Sequence, residues 1–155
     1  MTIPKLEAVI FDIGGTLVRH APLGTAVADL TPELIGTAAE DLERLAGRFR
    51  VGAVTDTSVM TAADVRDALA GSGLAEHLEV IVTSVDVGAA KPDPRGLRRA
   101  IEQLGASPAT TLFIGDAEVD AGAAQAAGAH FAWSDGGRSP GAIVDEFLTG
   151  RSGQG

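Results

Sequence analysis

Residues 6–12 read LEAVIFD, and two residues later the chain reaches the glycine pair Gly14-Gly15. The run is apolar on both of its faces, without the alternation of a strand that has one face in water. It therefore predicts a strand buried in a parallel sheet. Asp12 then stands at the carboxyl end of that strand, the edge at which open α/β sheets bind their ligands.

The same alternation of strand and helix continues along the chain. Apolar strand-like runs follow at 51–55, 78–84, 111–115 and 131–133. Helical patterns open at Thr31-Pro32, Thr61, Asp93-Pro94 and Ser139-Pro140, and an Ala-rich helical pattern after the fourth strand ends at Gly128. Regular alternation of this kind predicts a single α/β domain with helices on both faces of a parallel sheet.

Length and composition narrow the function. The 155 residues carry a net charge of −9 and contain no cysteine. The acidic balance disfavours nucleic-acid and membrane-surface binding, and thiol catalysis is excluded. The first residues lack the pattern of a signal peptide and no apolar run reaches membrane-spanning length, so we expect neither a leader nor a membrane span. We expect a cytoplasmic protein with one domain over residues 1–149 and a disordered tail at 150–155.

Polar residues follow four of the predicted strands. Asp12 ends the first in FDIGGT, and Thr55 ends the second in AVTD. Lys91 lies in GAAKPDP after the third, while Asp116 and Asp120 follow the fourth in FIGDAEVD. Each alone fits a plain structural role, such as a turn, a loop cation or a helix N-terminal acid. Together, at four strand ends, they indicate one site.

In this order the four blocks resemble the motifs of the haloacid dehalogenase (HAD) superfamily, and the connecting text VTSVDVGAAKPDP resembles its phosphatase branch. The resemblance covers roughly residues 6–134. It implies a three-layer α/β/α, Rossmann-like fold with a five-stranded parallel sheet ordered 5-4-1-2-3. It also implies a Mg²⁺-dependent phosphohydrolase that acts on a phosphate monoester.

The resemblance assigns catalytic roles to Asp12, Thr55 and Lys91. Asp12 is the carboxylate nucleophile, which accepts a phosphoryl group as an aspartyl-phosphate. The Thr55 hydroxyl binds a phosphate oxygen. Lys91 holds the nucleophile and the phosphate together by its charge.

The metal role falls to Asp12, Gly14, Asp116 and Asp120. Carboxylates and a backbone carbonyl are the hard oxygen ligands that Mg²⁺ prefers. The resemblance makes Asp12, Asp116 and the Gly14 carbonyl direct ligands, and gives Asp120 an outer role toward the metal's waters.

Gly14 departs from the family pattern. Phosphatases of the superfamily usually carry an aspartate at this position as general acid and base, and loss of such a group costs about 10²–10⁴ in rate. His20, beside Arg19 in the following loop, has a suitable side chain to replace it. A solvated loop histidine is the other interpretation, and residue type alone favours it.

Two classes of function remain open. One is the phosphatase; the other is a catalytically weak phosphate-binding or regulatory domain, which Gly14 favours. The metal carboxylate Asp116 argues against metal-independent dehalogenation, and the absence of a cap lysine argues against phosphonate cleavage. A receiver-type signalling domain would need its phosphorylated aspartate directly after the third strand, where none stands.

No cap domain fits into the connections. Residues 17–30 and 84–90 are the only free stretches near the site, and neither is long enough for a domain. We therefore expect an open site that admits a large phosphorylated substrate or is covered by a second subunit. Ala26-Val27-Ala28 in the first connection could support such a homo-oligomeric contact.

Overall fold

The computed structural model describes residues 5–20 and 32–150. Five parallel strands form one sheet in the order β3-β2-β1-β4-β5, which confirms the predicted topology. The strands are β1 (Ala8–Phe11), β2 (Arg50–Thr55), β3 (Val80–Thr83), β4 (Thr111–Gly115) and β5 (His130–Trp133).

Six α-helices surround the sheet in the described part of the chain. They are α1 (Ala38–Ala46), α2 (Ala62–Ala68), α3 (Ser84–Val87), α4 (Arg95–Gln103), α5 (Glu118–Ala127) and α6 (Pro140–Leu148). Helices α1, α2 and α6 pack on one face of the sheet, and α4 and α5 pack on the other. The fold is thus the expected three-layer α/β/α arrangement.

Strand β1 explains why its run has no polar side. Val9 and Phe11 point into the core under α1, α2 and α6, while Ala8 and Ile10 point into the core under α4 and α5. All four residues are completely buried. A central parallel strand has no wet face, so each position must be apolar.

The register of β1 with its two neighbouring strands determines which chain segments meet at the site. Phe11 lies opposite Ala53 of β2 on one side and opposite Ile114 of β4 on the other. The chain segments that follow these three strands therefore emerge side by side at the carboxyl edge of the sheet.

Several helix boundaries follow the predicted capping signals. Thr61 caps α2 in a reciprocal pair of bonds with Asp64. The Asp93 carboxylate accepts the Arg95 amide at the start of α4 at 2.9 Å. Gly128 ends α5 in the left-handed conformation with φ 80°, which glycine adopts without steric cost.

The predicted start of the first helix is wrong. The helix begins at Ala38 rather than at Pro32, because the preceding residues pair with the loop after β1. Ile35 donates its amide to the Leu17 carbonyl at 2.9 Å, and Arg19 donates to the Glu33 carbonyl at 2.8 Å. The proposed cap Thr31, the Ala26-Val27-Ala28 contact and residues 151–155 of the tail lie outside the described residues.

Helix α3 lies in a stretch that was expected to be the end of a strand and a loop. Thr83 ends β3, and its hydroxyl accepts the Asp86 amide to start the helix. Of the helices within residues 5–20 and 32–150, none has the length and apolar character needed to cross a membrane.

Candidate active site

Lys91 lies at the centre of the charged residues at the carboxyl edge. Its ammonium nitrogen Nζ donates to Asp12 Oδ1 at 3.0 Å and to Asp120 Oδ1 at 2.5 Å, with a longer contact to the Val54 carbonyl at 3.4 Å. The lysine side chain is only 4% exposed. An ammonium group withdrawn this far from water must be compensated by anions, and the two carboxylates supply that compensation.

Asp120 is held from its other side by the backbone. Its Oδ2 accepts the amides of Asp116 and Ala117, both at 3.1 Å, where β4 turns into α5. Asp120 thus fixes the turn that carries Asp116 while it binds Lys91. The sequence predicts for Asp120 only a role toward metal-bound water, and the direct ion pair with Lys91 is seen only in the structure.

Asp12, Asp116 and Asp120 form a cluster that can hold a cation. One carboxylate oxygen from each lies within 4.8 Å of the others. When all three are ionised, three negative charges face the single positive charge of Lys91. Oxygen donors with an excess of negative charge suit a hard divalent cation.

Gly15 allows the backbone to pass close to this cluster. It has a φ of 83°, and a Cβ atom there would overlap the Asp116 carboxylate. A residue with a side chain would be strained at this φ and would also displace a cluster carboxylate. The second glycine of the pair is therefore a steric requirement of the site.

Burial raises the pKa of the Asp12 carboxyl to about 7, and the nearby charge of Asp120 adds to the rise, although Lys91 acts in the opposite direction. The pKa of Lys91 is raised in turn: burial disfavours the ammonium, but the charges of Asp12 and Asp120 outweigh that effect. Lys91 therefore stays charged at neutral pH. Asp12 ionises readily only near neutrality or beside an added cation.

Thr55 lies on the opposite side of Asp12 from β4. It is the last residue of β2 and is buried, and its hydroxyl has no protein hydrogen bond within the described ranges. The next residue, Asp56, accepts the backbone amide of Lys91 at 3.2 Å. Sequence reasoning missed Asp56, whose position directly after Thr55 was the only available signal.

His20 reaches the other side of the cluster. Its Nε2 donates to Asp116 Oδ2 at 3.0 Å, although the imidazole is 70% exposed. A cavity of about 430 Å³ opens beside this pair, bounded by Gly15, Ser134 and Gly136. The histidine is therefore solvated, as residue type alone favours, and it also contacts a cluster carboxylate.

Comparison with known proteins identifies the family. Residues 26–128 match the family model of the haloacid dehalogenase-like hydrolases. Because this match covers more than half of the chain, the protein belongs to the haloacid dehalogenase-like hydrolase family. The matched range begins after Asp12 and Gly14, so it does not bear on those two positions.

Curated relatives include named phosphatases. The chain is 38% identical to the phosphoserine phosphatase of Thermus thermophilus over 76 residues, which are 48% of this chain and 30% of that protein. It is 43% identical to the plasmid phosphoglycolate phosphatase of Cupriavidus necator over 60 residues, 39% of this chain and 26% of that protein. The matches thus span less than a third of either relative.

A solved structure agrees over nearly the whole chain. A HAD-superfamily hydrolase from Ehrlichia chaffeensis superposes with a TM-score of 0.72 at 17% identity, covering 97% of this chain and 99% of that one. At this identity the likeness supports the fold alone.

The raised pKa of Asp12 predicts how stability depends on pH. The folded-state pKa, about 7, lies above the ordinary 3.8, so the folded protein keeps a proton that the unfolded chain loses. The free energy of unfolding should therefore fall as pH rises from about 4 to about 7, by up to about 4 kcal/mol at 1.4 kcal/mol per pKa unit. Asp12→Asn should remove this part of the slope. Urea unfolding of both proteins with a chelator, from about pH 4 to about pH 8, measures it; parallel pH curves would contradict the prediction.

Removal of the buried ammonium should destabilise the protein. Lys91→Met leaves Asp12 and Asp120 buried without their shared cation, and loss of one partner of a buried ion pair typically costs about 3–5 kcal/mol. Lys5, the other lysine of the chain, is exposed, so Lys5→Met is the matched control and should change stability by less than about 0.5 kcal/mol. Urea unfolding compares the two. Equal midpoints would show that the Lys91 ion pairs contribute nothing to the fold.

Proposed function

We propose that the protein is a Mg²⁺-dependent phosphohydrolase that transfers the phosphoryl group of a phosphate monoester to Asp12. The observation that carries the proposal is the buried Asp12–Lys91 pair beside the half-buried Asp116 carboxylate. A nucleophilic carboxylate, a fixed ammonium and an oxygen-ligand cluster are the components that phosphoryl transfer needs.

The residues fit a divalent cation. Asp12 and Asp116 would bind it directly with the Gly14 backbone carbonyl, while Asp120, whose oxygens are engaged by Lys91 and two amides, would support it from outside. Mg²⁺ bound there would neutralise charge on the phosphoryl group as it is transferred. Asp116 Oδ1 accepts no protein hydrogen bond among the described residues, so it is available to the ion although His20 occupies Oδ2.

The first chemical step forms a bond between an Asp12 carboxylate oxygen and phosphorus. Lys91 occupies Oδ1, which leaves Oδ2 for the attack. The bond between phosphorus and the ester oxygen breaks, and its electron pair leaves with that oxygen, which takes up a proton. Thr55 and Lys91 hold the phosphate oxygens during the transfer.

The second step regenerates the carboxylate. Water attacks the phosphorus of the Asp12 acyl phosphate, gives up a proton and releases inorganic phosphate. Both steps need a group that moves a proton, and Gly14 has no side chain to supply one. This gap is the observation that favours the second candidate, a phosphate-binding domain with little turnover.

The substrate is proposed as a phosphate monoester because the curated relatives are named for phosphoserine and phosphoglycolate. No second domain covers the carboxyl edge within residues 5–20 and 32–150, and the cavity beside Asp116 is open. Among these residues, none limits the size of the alcohol part of the ester. A large phosphorylated substrate is therefore compatible with the geometry.

Mg²⁺ should stabilise the folded protein through Asp116. A ligand that binds only the folded state adds about 2.7 kcal/mol at one hundred times its Kd. Asp116→Ala should abolish the rise in melting temperature on addition of Mg²⁺, whereas Asp67→Ala, an exposed aspartate on α2, should keep it. Thermal melts with and without Mg²⁺ measure the effect. A full Mg²⁺ shift in Asp116→Ala would place the ion elsewhere.

Hydrolysis should depend on Asp12. We expect wild type to release phosphate from at least one member of a panel of sugar phosphates, nucleotides and phosphopeptides in the presence of Mg²⁺. Asp12→Asn keeps the shape of the side chain but removes the nucleophile, so the released phosphate should fall to background. Inactivity of wild type across the panel, with Mg²⁺ still bound, would favour the phosphate-binding domain instead.

A further inference from the structure

The space beside Gly14 is occupied by the side chain of His20. A Cβ atom at Gly14 would lie 3.0 Å from His20 Nδ1 and 3.3 Å from His20 Cε1. The φ of Gly14 is outside the range that only glycine prefers, so crowding by His20 is the constraint on a side chain there. The imidazole therefore fills the volume into which a side chain at position 14 would extend.

The orientation of the imidazole is set by Asp116. Nε2 donates to Asp116 Oδ2 at 3.0 Å, and the two residues are 96 positions apart in the chain. With Nε2 bonded to the carboxylate, Nδ1 is the ring nitrogen on the Gly14 side. A carboxylate that orients a histidine and leaves the second nitrogen free for proton transfer is an established arrangement in catalysis.

The imidazole also borders the 430 Å³ cavity beside the cluster. Asp116 and Gly15 also line this cavity, so it can receive the alcohol part of an ester bound at the carboxylate cluster. His20 thus faces Gly14 and the same cavity.

We propose that His20, oriented by Asp116, carries the protons that the missing side chain at position 14 would carry; this inference rests on the proposed phosphohydrolase function. In the first step the ring starts as an imidazolium, with a proton on both nitrogens. Its Nδ1–H gives a proton to the ester oxygen as the phosphorus–oxygen bond breaks. In the second step the now neutral Nδ1 accepts the proton of the attacking water. The histidine returns to its starting state, and no other reactant is needed.

The test compares two esters that differ in their need for an acid. The leaving group of 4-nitrophenyl phosphate departs readily without a proton, whereas an alkyl phosphate requires one. His20→Ala should lower kcat/KM for the alkyl phosphate by about 10²–10⁴, the range for a general acid. It should change kcat/KM for the nitrophenyl ester by less than about tenfold, because that step then needs little acid catalysis.

The second step provides an independent readout. Without the base, the acyl phosphate on Asp12 should accumulate. His20→Ala should therefore release about one 4-nitrophenolate per protein in a rapid burst, followed by slow turnover. Wild type should show a smaller burst or none, because Nδ1 accelerates release of phosphate.

Two further variants separate proton transfer from simple placement of Asp116. His20→Gln retains an amide that can donate to Asp116 but cannot exchange a proton, so it should behave like His20→Ala. Gly14→Asp in the His20→Ala background has the space that the imidazole vacated, and it should recover part of the alkyl phosphate turnover. His77→Ala, at a histidine in the turn before β3, is the control and should match wild type.

The outcomes distinguish this inference from the function on which it rests. Three results would overturn the proton-carrier role while hydrolysis stands. His20→Ala could lose activity equally on both esters, or His20→Gln could keep wild-type rates. In the third, calorimetry would show that His20→Ala loses Mg²⁺ affinity together with turnover. If wild type hydrolyses neither of these esters nor any member of the panel of sugar phosphates, nucleotides and phosphopeptides, both proposals fail together. Selective loss on the alkyl phosphate, with the burst and unchanged Mg²⁺ affinity, supports His20.

Discussion

The ammonium group of Lys91, buried between Asp12 and Asp120, is the interaction on which the rest of the carboxyl edge depends. It joins residues that lie 79 and 29 positions away in the chain. Three charges removed from water are tolerable only while they compensate one another. Any displacement of the strands or loops that carry them would leave a charge without its partner, so the ion pairs select one relative placement of β1, α5 and the Lys91 loop.

The sheet order supplies that placement. Because β1 lies between β2 and β4, the residues after all three strands converge at one edge, and Asp120 secures the turn after β4 through two backbone amides. The Gly14-Gly15 pair then lets the backbone after β1 pass the carboxylates without a side chain in the way. Fold and site are thus parts of one packing arrangement.

The electrostatic balance of the cluster connects this arrangement with chemistry. Ionised Asp12, Asp116 and Asp120 outnumber the single cation Lys91, and burial raises the pKa of the Asp12 carboxyl to about 7. A divalent cation at this place would favour the ionised nucleophile and relieve the repulsion between the carboxylates. Burial of the carboxylates is unfavourable while the site holds no metal, and the same burial favours the binding of a divalent cation there.

Local sequence determined the strands and most of the helix ends, because these depend on short-range patterns. A run such as 6–12 without a polar face can only be buried on both sides, and Thr61 with Asp64 forms a cap from neighbours alone. The family resemblance implies the order of the five strands, and that order places Asp12 near Asp116, as the structure confirms.

Tertiary structure alone decided the contacts that join distant segments. The first helix starts at Ala38 because residues 33–35 bond to the loop after β1, which outweighs the local signal at Pro32. Asp56 binds the Lys91 backbone, and His20 lies against Asp116 in the space that Gly14 leaves free. Such contacts depend on the distance between two remote loops in the folded protein, and the spacing of residues along the chain does not determine that distance.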